Sequence, residues 1–209
     1  WWYTCVVPKL KGMNYFIDEG AVAPRALPWM NRLYGNTGIL YWATDNWTGV
    51  GCDPWSETET FPTGNGDGCL VYPGRDFQGP VASIRLKMIR EGLEDYELLT
   101  LLGNRLREVA GRIGGRAVHY RPEERLFEHA LALITEDGRF SGPKGETPYL
   151  MHVTQDYREI EKRRGLVIDE AESAFERPLL LVATSPGDGA VTDSGAAIVR
   201  GYAEETTGI

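Results

Sequence analysis

The chain has 209 residues, 42% hydrophobic and 25% charged, enough for one domain with a real core or for parts of two. Its net charge of −8, with no basic patch evident, argues against nucleic acid or an anionic membrane as partner. No uninterrupted apolar run approaches the roughly 18 residues of a membrane span. Residues 81–177 hold most of the charge, the first 80 are aromatic and Gly/Pro-rich, and the last 32 are small and β-prone, so three regions are expected.

Trp1–Val7 reads as a buried strand, rich in aromatic and β-branched residues. Pro8–Gly20 reads as a loop in which Tyr15-Phe16-Ile17 delivers Asp18. Pro24 can open a helix, because its missing N–H is harmless in the first turn. That helix is expected to run to about Tyr34, with Gly35 at its C-terminal end. Gly38–Thr44 is a second near-continuous apolar strand, of the kind buried on both faces in parallel sheets. A long loop, Asp45 to Pro80, follows; loops of this length are usually functional. It contains a strand-like Cys69–Tyr72.

From Val81 apolar residues recur at helical spacing through Ile84, Met88, Leu93, Tyr96, Leu99, Leu102, Leu106 and Val109, with Gly92 and Gly103 as bend points. Strand–helix–strand–helix implies a parallel βαβα unit. Two further helices are expected over 121–136 and 154–176, separated by a Gly/Pro-rich connector, Asp137–Pro148. On the second, Ile160, Val167, Ala171 and Ala174 make the buried stripe. Glu159, Glu161, Lys162, Arg163, Arg164 and the Asp169-Glu170 pair read as a solvated face. Pro178 marks a boundary, beyond which Leu179–Thr184 and Ala196–Tyr202 read as strands around a turn.

All six tryptophans lie within the first 55 residues. An indole is large and carries one N–H, so such a concentration makes a dense core, a ligand-facing wall, or both. Trp1, Trp2 and Trp29 are the expected core members. Polar groups flank the others: Tyr3 on the first strand, Asp18 and Glu19 in the loop after it, Arg25 at the helix start, then Tyr41, Trp42, Asp45, Asn46 and Trp47. In a βα barrel these approach the C-terminal face, where sites are built. Aromatic faces beside carboxylates and amides suit a sugar. The rings cover its C–H face and the polar groups bond its hydroxyls.

Other patterns carry less. Gly64-Asn65-Gly66-Asp67-Gly68 lacks the Lys-Ser/Thr of a phosphate loop and reads as a turn. His119, His129 and His152 do not cluster at ligand spacing, so no metal site and no cofactor is expected. Asn46-Trp47-Thr48 fits a glycosylation acceptor pattern. Cys5, Cys52 and Cys69 read as small buried or part-buried thiols, and a disulfide among them is left open.

Five blocks, "WWYTCVVP", "NYFID", "APRALPWMNRLYGNTGILYWATDNW", "GDGCLVYPG" and "GPVASIRLKMIREGLEDYELLTLL", resemble in order the C-terminal part of the catalytic domain of glycoside hydrolase family 123, over about residues 1–102. That family includes β-N-acetylgalactosaminidases. The resemblance implies a (β/α)8 barrel and retaining, substrate-assisted hydrolysis, one of the exceptions to the usual two-carboxylate scheme. There the substrate's own 2-acetamido oxygen is the nucleophile. One carboxylate positions that group and a neighbouring carboxylic acid, its pKa raised, protonates the leaving oxygen.

The family's functional pair is a consecutive Asp-Glu ending an earlier strand. Asp18-Glu19 matches the dipeptide but not that place, and reads as a decoy; Asp18 reads instead as a sugar-hydroxyl ligand or a turn residue. The catalytic carboxylates are therefore expected upstream of Trp1. The sugar-binding residues expected in this chain are Tyr3, Asp18, Arg25, Tyr41, Trp42 and Trp47, with Arg25 orienting a carboxylate or hydroxyl.

The expected fold class is α/β. Residues 1–113 supply the last two βα units of the barrel and 114–177 a helical extension. Residues 178–209 ("SPGDGAV…VRGYAEETTGI") resemble the first strands of a bacterial immunoglobulin-like sandwich, cut short of the seven strands or so that fold needs. Such a module favours a secreted, cell-surface or periplasmic setting. The chain reads as a fragment, inactive and prone to aggregate alone, since its parallel strands expose edges. Two rivals stand beside this reading: a non-catalytic carbohydrate-binding or scaffold protein on the same barrel, and a glycosidase using ordinary two-carboxylate chemistry.

Overall fold

The computed structural model describes residues 1–5, 14–59, 64–76, 79–113, 121–135, 138–142, 145–149 and 152–175. The expected strands of 178–209 lie outside them, as does the turn between them.

β1 (Trp2–Thr4) and β2 (Ile39–Tyr41) pair in parallel, Trp2 opposite Ile39 and Thr4 opposite Tyr41, with α1 (Val22–Leu33) between them in sequence. This is the expected βαβ unit, with strands shorter than the apolar runs that announce them. Alternation along the strands splits their side chains between two faces. Trp2, Ile39 and Tyr41 pack on the helical core. Tyr3 and Leu40 point the other way and are 54% and 51% exposed. Trp1, expected in the core, is 81% exposed, because only the helix side of this sheet is covered by described residues.

α1 begins two residues before Pro24, and Gly35 takes a positive φ of +64° just past its end. Every residue from Val22 to Asn31 is buried, so the helix reads as core on all sides rather than as an amphipathic surface helix. Trp29 is 1% exposed.

The long loop after β2 is not structureless. It holds a one-turn helix α2 (Trp47–Val50) and β3 (Val71–Tyr72), which pairs antiparallel with β4 (Val81–Ala82). That ladder takes up the residues expected to open the longest helix. α3 (Ile84–Ile113) starts instead after Ser83, whose Oγ accepts the Leu86 amide at 3.2 Å, a helix cap. Leu99, Leu102, Leu106 and Val109 are buried along α3 as expected, but Ile84 and Leu93 are exposed. Gly92 and Asp95 occupy the buried stripe in their place.

Neither Gly92 nor Gly103 interrupts α3. A Cβ at Gly92 would run into the Arg25 carbonyl oxygen, and one at Gly103 would lie 2.7 Å from Leu126 Cδ1. They are sites of close approach between helices.

α4 (Pro122–Leu131) opens on its proline. Beyond it, β5 (Ile134–Thr135) pairs with β8 (His152–Val153) around a hairpin of β6 (Gly138–Gly142) and β7 (Gly145–Tyr149). The expected connector Asp137–Pro148 is thus largely a β-ribbon, closed where Gly142 meets Gly145. α5 (Tyr157–Ser173) is capped by Asp156 and buries Ile160, Val167 and Ala171.

The charged residues of α5 are not all solvated. Arg25 and Asp95, both fully buried, form an ion pair at 2.7 Å, and Asp95 also accepts the Trp29 indole N–H at 3.1 Å. Glu161 and Tyr157 of α5 complete the Arg25 fork, and Arg164 Nε lies 3.1 Å from Asp95. The cluster joins α1, α3 and α5. Burial opposes charge on Arg25, but its bonds to Asp95 and Glu161 prevail and hold it fully protonated.

Glu170 likewise turns inward. Arg125 donates to both of its oxygens at 2.8 and 3.0 Å, and His129 Nε2 lies 2.9 Å away. Burial disfavours the carboxylate, yet the bonds from His129 and Arg125 outweigh it and hold Glu170 at about 2.

Two outcomes follow from this packing. Gly92→Ala should cost about 2 kcal/mol through overpacking, although alanine is the better helix former by about 1 kcal/mol. Urea unfolding should show a lower midpoint with an unchanged slope. Glu170 is depressed in the folded state, so its contribution is complete above its unfolded value of 4.5 and is lost as pH falls toward 2. Unfolding free energies across that window should decline by about 3 kcal/mol, and Glu170→Gln should flatten that part of the slope.

Candidate sugar-binding site

The loops that leave the C-terminal ends of β1 and β2 meet, and a buried cation holds them together. Arg85, in the first turn of α3, is 5% exposed. Its Nη1 donates to the carbonyls of Tyr15 (2.6 Å) and Gly66 (2.7 Å), and its Nη2 to the Cys69 carbonyl and the Tyr72 hydroxyl. One buried guanidinium thereby satisfies loop carbonyls from two separate segments.

The glycine-rich stretch is a turn, as its composition implies, and also the scaffold of the site. Gly66 and Gly68 take φ of +70° and +74°, a region side chains disfavour. Between them Asp67 is buried and accepts the Tyr41 hydroxyl at 2.8 Å and the Trp42 indole N–H at 3.2 Å. The Gly68 amide in turn donates to the Tyr41 oxygen at 2.6 Å. Burial, with Asp67 alongside, pushes the Tyr41 hydroxyl far above its ordinary range. The buried Tyr15 ring meets Tyr41 edge-on, centroids 4.9 Å apart.

On the solvent side of this turn, the Ile17 amide donates to the Asn65 carbonyl at 2.9 Å. The Asn65 side-chain amide donates to both carboxylate oxygens of Asp18, at 3.0 and 2.9 Å. Thr58 supports Asn65 from behind, Oγ1 to Oδ1 at 3.2 Å. The result is an exposed carboxylate beside an amide of fixed orientation, a donor–acceptor pair suited to hydroxyl groups.

The expected site residues therefore separate. Asp18 lies at the polar pair. Tyr41 and Trp42 lie behind it, on Asp67. Trp47 fastens its indole to the Val71 carbonyl at 2.8 Å. Tyr3 is on the uncovered sheet face. Arg25 is elsewhere, its guanidinium spent on Asp95, Glu161 and Tyr157, so it is not free to orient a ligand here. Asp18 and Glu19 diverge: Asp18 meets Asn65, while Glu19 lines a neighbouring cleft.

The sequence pattern does not single out Asn65, Asp67 or Arg85. Polar residues alternating with glycine were a signal for the first two. For Arg85 there was none, since a first-turn arginine reads as solvated. No disulfide joins Cys5, Cys52 or Cys69. Among the described residues no group of three or more His, Cys, Asp or Glu could hold a metal, and no helix is long and apolar enough to cross a membrane.

The loops beyond the two parallel strands thus gather carboxylate, amide and aromatic side chains at one end of the βαβ unit. Residues 1–102, just under half of the chain, match the family model of the glycoside hydrolase 123 catalytic domain, and this half is glycoside hydrolase-like. No curated protein matches the chain.

Tyr41→Phe should cost about 1–3 kcal/mol by leaving the Gly68 amide and an oxygen of buried Asp67 short of partners. The expected local signature is faster hydrogen exchange at the Gly68 amide, with the α1–α3 core unchanged.

Proposed function

We propose that residues 1–113 are the last two βα units of a (β/α)8 glycosidase barrel that hydrolyses a β-N-acetylhexosaminide with retention, using the substrate's acetamido group. The observation that carries this reading is the family match over residues 1–102. The sheet supports it independently. A parallel sheet is ordinarily covered on both faces, and the exposed face with Tyr3 and Leu40 is where the interior of such a barrel would lie.

In this reading the chain supplies one wall of the sugar pocket. Asp18 and Asn65 bond hydroxyls of the sugar, held in place by Arg85 and by the Tyr41–Asp67–Trp42 cluster. The acid and the acetamido-positioning carboxylate come from barrel strands earlier than β1. The helices after residue 113 form an extension, and residues 178–209 open an immunoglobulin-like module.

Two measurements test this. N-acetylgalactosamine added at millimolar concentration should shift the Asn65 side-chain amide resonances of the chain, and Asp18→Ala should weaken that response by at least about tenfold, the value of a charged hydrogen bond. Absence of any response overturns the assignment of the pocket wall. The 209-residue chain should release no p-nitrophenol from an aryl N-acetyl-β-galactosaminide. Release abolished by Glu19→Gln would instead make Asp18-Glu19 the catalytic pair.

A further inference from the structure

Beside the Asp18–Asn65 pair lies a cleft of about 640 Å³ that the sugar reading does not use. Its lining is mainly apolar: Ile17, Pro54, Trp55, Tyr72, Val81 and Ile84. Trp55 and Ile84 are large and exposed. Single exposed apolar residues need no explanation, but several sharing one concave surface mark a binding site.

Trp55 is held as a rigid platform. Its indole N–H donates to the Pro73 carbonyl at 2.9 Å and its backbone amide to Asp53 at 3.0 Å. Its ring packs on Tyr72 with centroids 4.9 Å apart, and Arg75, which does not line the cleft, sits 5.2 Å from its centre. Tyr72 is in turn fixed by Arg85. A ring ordered in advance loses little freedom when a ligand arrives.

The polar lining narrows the ligand class. Glu19 contributes a carboxylate. Ser83 contributes a hydroxyl whose oxygen already accepts the Leu86 amide, leaving its proton to donate. The cation in the wall, Arg85, has both terminal nitrogens committed to three loop carbonyls and the Tyr72 hydroxyl. Among the described residues of this lining, a phosphate or nucleotide would meet a carboxylate and no available cation. A neutral ring with one apolar face and a rim of hydroxyls fits: the face on Trp55, Tyr72 and Ile84, the hydroxyls toward Glu19 and Ser83.

Two residues of the cleft wall, Ile17 and Glu19, flank Asp18 on the same loop, and the Ile17 amide is bonded to the Asn65 carbonyl. We infer that the cleft is a second sugar subsite, which takes a pyranose glycosidically linked to the one held at Asp18. The natural ligand is then an oligosaccharide, and chain length is read at Trp55. This inference rests on the sugar reading of Asp18 and adds to it.

The test compares two probes on the intact chain by NMR: N-acetylgalactosamine, and a disaccharide of N-acetylgalactosamine β-linked to galactose. Both should shift the Asn65 amide. The disaccharide alone should also shift the Trp55 indole N–H and bind about tenfold more tightly, the yield of one added aromatic contact. Trp55→Ala should abolish that advantage and leave the monosaccharide response within about twofold. Ile84→Ser, on an already exposed side chain, should give the same selective loss should Trp55→Ala fail to fold. If the disaccharide binds no better than the monosaccharide and leaves Trp55 unmoved, the second subsite is overturned while the sugar reading stands. If neither probe moves Asn65, both fall.

Discussion

The buried pair of Arg25 and Asp95 is the interaction on which the rest of this molecule depends. Both side chains are fully buried, and a buried charge without its partner is strongly destabilising. Each charge is met on several sides: Asp95 by Arg25, Trp29 and Arg164, and Arg25 by Asp95, Glu161 and Tyr157. These contacts come from three helices separated widely in sequence, so α1, α3 and α5 must all be seated before any of them is satisfied. Gly92 permits the approach, since α3 can sit against the Arg25 carbonyl only where it lacks a side chain.

That seating fixes the start of α3 relative to α1 and β1, and so places Arg85. The loops beyond β1 and β2 inherit their geometry from it. Asp18 and Asn65 come from loops about fifty residues apart, yet both are positioned through backbone carbonyls that one guanidinium gathers. The architecture is layered: an ionic knot beneath, a cation that collects loop carbonyls above it, and exposed polar groups and aromatic rings at the surface.

Much of this was legible before any coordinates. Continuous apolar runs announced two parallel strands, and Pro24 and Gly35 marked a helix close to its true bounds. The stripe Leu99–Leu102–Leu106–Val109 placed the buried face of α3, and Ile160–Val167–Ala171 that of α5. What escaped were interactions that reverse the usual meaning of a residue type. Arg25, Arg85, Asp95 and Glu170 are charged residues turned inward, and Glu161, still half exposed, reaches in to Arg25. Charge reads as solvation unless a distant partner is known, and no local pattern names a partner 70 or 136 residues away. Pairing misled in the same way at Val81–Ala82. Their apolarity suited a helix start until β3 claimed them for a ladder.

The amino-acid sequence by itself determined the periodicities, hence the βαβ unit and the helices after it, and the aromatic and acidic residues that fall beyond the strand ends. It also carried the likeness to a glycosidase catalytic domain. Only the tertiary structure decided which of those residues meet. It set Asp18 against Asn65, withdrew Arg25 into the core, turned Tyr41 and Trp42 onto Asp67, and left Trp55 at the edge of an open cleft. The physical reason is that periodicity follows from the local geometry of the backbone, whereas a site is built from long-range contacts. Those exist only once burial has forced every charge and amide to find a partner.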